Sequence, residues 1–273
     1  AGLALSSASQ PSGLGLCSWK RKPLHDRLPN FSGHIEVSLD SEHSGHPKDT
    51  ATVQAPAWWP SQFQPVRGQS VHVLARYGQP GSDFWVADLP AEDMTQADVR
   101  WWEQVYGINL NPELIVNDPC VIQGTYGQGR FLLSYVHLES PNSDQANAWL
   151  SHLLAPYLNV SPGPAPVPEW SLQQVSPVWE DPVLVKLRLS LDTLIAQGQS
   201  HFLLCWRSPW LLGWKRGIPG FALNTLLAMT SQIMELTPSE RSQALLGKQS
   251  ERITYLFEHF QDCMTTYLAE ERK

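Results

Sequence analysis

The chain has 273 residues, of which 42% are apolar and only 16% charged, and its formal net charge is −7. An acidic chain lacks the basic face that general nucleic-acid binding needs, so we expect no nucleic-acid partner. No apolar run reaches the roughly 18 residues of a membrane span, and no signal peptide is visible. Four widely spaced cysteines predict neither a disulfide framework nor a zinc site, and we expect a cytoplasmic location.

The first part of the chain, residues 1–158, is predicted to be an α/β domain of short strands, turns and a few helices. A short helix is expected at 3–7. Apolar runs and alternation predict strands at 71–76 and 83–88. A helix follows at 95–106.

A hairpin and a helix complete this domain. Strands at 120–124 and 130–136 flank the sequence Tyr-Gly-Gln-Gly, which is typical of a tight turn. The next helix is predicted at 143–154, with Asn142 or Ser143 as its cap.

A proline-rich linker is predicted at 159–169. Its first ten residues contain four prolines and one glycine, a composition that cannot continue a helix. Beyond it, apolar residues recur at helical spacing in 182–196, 218–236 and 239–268. We therefore expect a small all-α helical domain over 170–273.

The most informative motif is His137-x-Glu139 at the end of the predicted hairpin. Residues two apart on a strand share a face, so the two side chains are expected to stand side by side. Glu139 would then accept the imidazole N–H and fix the tautomer, and His137 would activate a thiol or hydroxyl. The alternative is a strand end that carries two unrelated polar residues.

The run 124–139 resembles the closing hairpin of class I glutamine amidotransferase-like domains. In that family a Tyr-Gly-x-Gly-Arg hairpin feeds a strand that ends in His-Pro-Glu, and here Leu138 replaces the proline. The resemblance implies thiol chemistry on an amide or related carbonyl substrate. His137 and Glu139 would be catalytic residues, and no cofactor or metal is implied.

One branch of that family, similar to the amino-terminal domain of some biotin-protein ligases, matches further pieces in the same order. These are the small residues of 1–7, the Phe-Ser-Gly of 31–33 and the Val-His-Val-Leu-Ala-Arg-Tyr of 71–77. The resemblance covers about 1–155. It implies a partial doubly wound, flavodoxin-like, mostly parallel sheet with its nucleophile at a strand-to-helix turn.

The family's nucleophilic cysteine has no counterpart in this sequence. If 1–7 follows the nucleophile turn, the cysteine would precede Ala1, and the chain would be a fragment that is inactive alone. A Gly-x-Cys-x-Gly upstream of Ala1 would favour the enzyme. Cys17 is a poor substitute because Lys-Arg-Lys-Pro follows it closely, and Ser134 is expected to face away from His137.

An aromatic pair, Trp58 and Trp59, precedes a predicted strand. It is interpreted either as the wall of a substrate pocket or as a plug on a domain face. Near it in sequence, His34, His43 and His46 lie among acidic residues without a standard metal-ligand spacing, so a solvated acidic loop is expected.

Two other functions remain open. The domain could be a non-catalytic scaffold whose helical part recruits a protein partner through Trp210 and Trp214, although these rings could equally fill the helical core. It could also be a regulatory domain that senses an acyl or biotin-like ligand, which thermal-shift screening would reveal.

Overall fold

The computed structural model describes residues 4–5, 13–40, 50–58, 61–66, 70–161, 163, 166–168, 171–215 and 218–271. The chain divides into two compact units, Ala1–Glu169 and Trp170–Lys273. The division falls at the carboxy-terminal end of the predicted linker. Each unit has a hydrophobic core of its own.

The described part of the first unit is mixed α/β. Its strands are β1 (Lys20–Arg21), β2 (Phe31–Leu39), β3 (Thr52–Trp58), β4 (Phe63–Gln64), β5 (Val71–Pro80), β6 (Trp85–Val86), β7 (Leu89–Pro90), β8 (Pro119–Tyr126) and β9 (Gly129–Ser134). Its α-helices are α1 (Gln96–Tyr106) and α2 (Asp144–Leu158), and short 3-10 turns lie at Leu24–Asp26, Ala91–Asp93 and Pro112–Leu114.

Seven of these strands form one sheet, in which β2 lies between β3 on one side and β5 and β6 on the other. The order continues from β5 to β8 and β9, and β1 pairs separately with β4. Every strand pair of the described residues is antiparallel. The mostly parallel wound sheet is therefore not seen among these residues, where parallel pairing is limited to an isolated bridge between Leu5 and Cys17.

Strand β2 corrects the predicted acidic loop around His34. Phe31, Ile35 and Val37 are fully or almost fully buried, and they alternate with polar residues as on a strand with one covered face. His34 therefore belongs to a strand, on the face opposite these core residues. His43 and His46 lie outside the described residues.

Among the described strands, β3 pairs only with β2, and Pro56 shows why such an edge strand can contain a proline. Pro56 lies opposite His34 in the β2–β3 ladder. Its carbonyl oxygen accepts a hydrogen bond from the backbone N–H of His137, at 2.7 Å. Because the N and O of one residue in an antiparallel strand point to the same side, the missing N–H also faces away from β2, and the ladder loses no bond.

The predicted hairpin is confirmed, with β8 and β9 in register from Val121–Ser134 to Tyr126–Gly129. The helix predicted at 95–106 is confirmed as α1, whose Thr95 forms a capping box with Asp98. The strand predicted at 71–76 is confirmed within the longer β5, whereas only Trp85–Val86 of the one predicted at 83–88 is a strand. The helix predicted at 3–7 is described only at residues 4 and 5.

The predicted linker is not extended throughout. The N–H of Gly163 donates to Ser151 Oγ at 3.1 Å, and that of Val167 donates to Asn147 Oδ1 at 2.9 Å. Both acceptors belong to α2, so these linker residues return along the helix that precedes them.

The second unit is mainly helical, but it corrects the all-α prediction. Its helices α3 (Pro182–Ser200), α4 (Gly220–Glu235) and α5 (Glu240–Glu270) confirm the three predicted segments. Between α3 and α4 lies an antiparallel hairpin of β10 (Leu204–Ser208) and β11 (Leu211–Trp214). The short strands carry Leu204 and Leu212 into the core, which is how the hairpin is held against the helices.

None of the helices in the described part of the chain combines the length and the apolar character needed to cross a bilayer.

The backbone of β2 requires glycine at position 33. Its φ is +127°, and a Cβ there would lie 2.4 Å from the carbonyl oxygen of Asp83. Both the backbone angle and the close approach therefore require glycine.

We predict that Gly33→Ala lowers the free energy of unfolding by about 2–4 kcal/mol, because strain and a backbone clash act together. Gly127→Ala is the matched control: Gly127 also has a positive φ of +58°, but a Cβ at that position would have no atom within 4 Å. It should cost only about 1 kcal/mol. Urea denaturation measures both, and equal losses would contradict the close-approach argument.

Candidate functional site

The segment that follows β9 places the His-x-Glu motif. Strand β9 ends at Ser134, so His137 lies beyond the strand rather than within it. The N–H of His137 binds Pro56 O, and its carbonyl accepts from the N–H of Ser140 at 3.2 Å. These bonds fix a short turn against the edge of β3.

His137 and Glu139 are brought together as the sequence predicts. Nδ1 of His137 lies 2.8 Å from Oε1 of Glu139. The imidazole is 28% exposed and the carboxylate side chain 60% exposed. Among the described residues none is hydrogen-bonded to Nε2 of His137, so the pair leaves that nitrogen available for proton transfer.

Trp58 stacks on one face of the His137 imidazole. The two rings are stacked, with centroids 3.8 Å apart and planes 20° from parallel. The indole Nε1 donates to Ser140 Oγ at 3.1 Å, which ties Trp58 to the same turn. Trp58 therefore covers one face of the His137 ring, and Trp59 lies outside the described residues.

The side chain of buried Asn147 is hydrogen-bonded to the same turn. Its Nδ2 donates to the carbonyl oxygens of Leu138, at 2.6 Å, and Ser140, at 2.9 Å. Asn147 is only 3% exposed, so these bonds have little competition from water. Helix α2 thereby fixes the loop between His137 and Ser140, a role that the sequence pattern did not reveal.

The electrostatics of Glu139 favour its charged form. Burial raises the pKa of the carboxyl, but the hydrogen bond and the charge of His137 lower it by more, so its pKa lies below the ordinary value. An ionised Glu139 accepts the Nδ1–H of His137, and Nε2 is then the proton acceptor.

No thiol in the described part of the chain is placed as a nucleophile. Cys17 and Cys120 are fully buried, and burial raises the pKa of both thiols, which disfavours the reactive thiolate. Cys205 and Cys263 are exposed but belong to the second unit. Ser134 uses its hydroxyl to bond the carbonyl of Val136.

A second histidine site was missed from the sequence. His34 is hydrogen-bonded to Asp83 and to Ser143, residues 49 and 109 positions away in the chain. Only the alternation of apolar residues in β2 could have signalled that His34 belongs to a strand with a defined face. Among the described residues no group of three or more His, Cys, Asp or Glu could hold a metal ion.

Comparisons with protein-family models, with curated proteins and with solved structures found no match to this chain.

The coupling between His137 and Glu139 can be measured directly. We predict that His137→Phe, which keeps a ring for Trp58 to stack on, raises the pKa of Glu139, because burial then acts without the opposing imidazole. Carbon-detected NMR titration of the carboxyl measures this pKa. Asp83, whose partner is His34, is the internal control and should not change.

The same coupling sets the sign of the pH dependence. Because the folded-state pKa of Glu139 is depressed, its stabilisation is present above the unfolded value of about 4.3 and is lost as pH falls through the folded value. The stability advantage of wild type over His137→Phe should therefore shrink on acidification. An unchanged Glu139 pKa in the variant would contradict this coupling.

Proposed function

We propose that the first unit is an amidotransferase-like domain, in which His137 and Glu139 form the acid–base part of a site that acts on an amide or related carbonyl. The observation that carries the proposal is the 2.8 Å contact between Nδ1 and Oε1. A carboxylate on Nδ1 is the arrangement that lets Nε2 take a proton from a nucleophile and return it to a leaving group.

Two further features support this role. Trp58 covers one face of the imidazole, and the bonds of Ser140 and Asn147 hold the surrounding turn. Preorganisation of this kind keeps a general base in one orientation during reaction.

The nucleophile in this proposal comes from outside the described residues. The class I amidotransferase resemblance supplies a cysteine on a strand-to-helix turn of a parallel wound sheet, where the helix amino terminus lowers the thiol pKa. In the proposal, the antiparallel sheet is the part of that fold that carries His137 and Glu139. The proposed location is the cytoplasm, where unpaired cysteines remain reduced.

A non-catalytic scaffold is the second candidate function. Trp210 is only 7% exposed, and Trp214 packs so closely over Gly220 that a Cβ there would lie 2.3 Å from the indole. Because Trp210 is buried and Trp214 is partly buried against the core of the second unit, these rings offer little surface for direct recruitment of a partner. What favours the scaffold is a set of exposed apolar side chains on α5, namely Leu245, Tyr255 and Leu256.

Activity measurements separate the two functions. A protein that combines this chain with the proposed nucleophilic cysteine should release ammonia from glutamine or a related amide, and His137→Ala should lower kcat/KM by about 10²–10⁴, the usual contribution of a general base. His25→Ala, at a histidine whose side chain is 80% exposed, is the matched control.

The 273-residue chain tested alone should be inactive in the same assay. Two results would overturn the proposal: hydrolysis by this chain that Cys17→Ser abolishes, or activity of the cysteine-containing protein that is independent of His137. A cysteine-containing protein with no activity on any amide would favour the scaffold.

A further inference from the structure

A chain of three polar side chains lies apart from the His137 pair. Oδ2 of Asp83 is 2.8 Å from Nδ1 of His34, and Nε2 of His34 is 3.1 Å from Oγ of Ser143. The order carboxylate, imidazole, hydroxyl is that of a nucleophilic triad, in which each ring nitrogen has one partner.

Hydrogen bonds fix both the backbone and the ring of His34. The backbone N–H of His34 donates to Oδ1 of Asp83 at 2.7 Å, and its carbonyl accepts from the N–H of Gly81 at 2.8 Å. Asp83 thus holds both the backbone and the ring of His34. Gly33 permits this closeness, because only glycine leaves room for the Asp83 carbonyl.

The electrostatics suit an orienting carboxylate. Burial raises the pKa of Asp83, but its hydrogen bonds with the His34 ring and backbone outweigh that effect and lower it overall. An ionised Asp83 accepts Nδ1–H, and Nε2 of His34 is then the acceptor for the Ser143 hydroxyl. Among the described residues, Asp83 is the only charged group that is hydrogen-bonded to His34.

Ser143 occupies the position that normally caps α2, but its side chain makes no capping bond. A serine at this position usually accepts a backbone N–H of the first turn. Here the single hydroxyl proton has two acceptors within reach, Nε2 of His34 at 3.1 Å and the carbonyl oxygen of Pro141 at 3.2 Å. The first-turn N–H groups of α2 therefore do not use the Ser143 hydroxyl as an acceptor.

We propose that Ser143, His34 and Asp83 form a second nucleophilic centre, which acts on small uncharged esters. This centre is independent of the proposed amide chemistry at His137. Ser143 is 5% exposed, so a slender acyl group fits the access better than a bulky one. The ionised Asp83 nearby disfavours an anionic substrate.

The reaction is balanced with water as co-reactant. Oγ of Ser143 attacks the ester carbonyl carbon as its proton passes to Nε2 of His34, and the ester C–O bond breaks. The leaving alcohol takes the proton from Nε2, which leaves an acyl-serine. Water then attacks the acyl carbon and gives a proton to Nε2. The bond to Oγ breaks, Ser143 recovers that proton, and a carboxylic acid is released.

In a purely structural role, the same contacts would only attach the start of α2 to β2. Such a contact would not need a carboxylate on Nδ1 of His34. Reactivity of Ser143 therefore distinguishes a catalytic triad from contacts that are only structural.

The test is covalent labelling of the 273-residue chain with methanesulfonyl fluoride, a small uncharged reagent that suits the narrow access, followed by peptide mass spectrometry. Attack by Oγ forms an O–S bond and breaks the S–F bond, and fluoride leaves while the proton passes through His34 to solvent. We expect one modified residue, Ser143. Ser143→Ala should abolish labelling, and His34→Gln should slow it about 100-fold or more.

Two controls keep the result interpretable. His34→Gln retains hydrogen-bonding groups, so circular dichroism and a thermal melt should show that α2 remains folded. His25→Ala, at a histidine whose side chain is 80% exposed, should label at the wild-type rate. Absence of label at Ser143, or equal labelling rates in wild type and His34→Gln, would overturn the proposal.

Discussion

The hydrogen bond from the His137 N–H to the carbonyl of Pro56 is the contact that places the His137 turn beside the strand that pairs with His34. Pro56 lies opposite His34 in the ladder, and it binds His137 on its other side. Opposed residues of an antiparallel pair share a face, as do residues two apart on a strand, so His34, Pro56 and Trp58 lie on one face. The two histidines flank one edge strand, roughly 10 Å apart by two interstrand spacings.

This arrangement explains why a proline belongs in β3. A residue with an N–H at position 56 would offer a donor as well as an acceptor at the open edge, and an exposed edge invites a further strand. Pro56 offers only its carbonyl, and the turn after β9 uses it. Hydrogen bonds of Asn147 and Ser140 then fix that turn. The backbone of this short irregular segment is therefore held in one position beside the sheet.

Local features of the fold could be predicted from the sequence, whereas long-range pairings could not. The β8–β9 hairpin and the proximity of His137 to Glu139 depend on residues close together in the chain. The pairing of His34 with Ser143 joins residues 109 positions apart and depends on the register of β2. The alternation of β2 was visible, but its acidic and histidine residues favoured a loop. The β10–β11 hairpin was missed because its short apolar strands resemble parts of a helical core.

The central claim is that Glu139 fixes the tautomer of His137 and leaves Nε2 as the proton acceptor. Long-range proton–nitrogen NMR of ¹⁵N-histidine-labelled protein reads this tautomer directly, at a pH where the ring is neutral. We expect a proton on Nδ1 in the wild-type protein and loss of this preference in Glu139→Ala. A neutral His137 that carries its proton on Nε2 in the wild-type protein would contradict the claim.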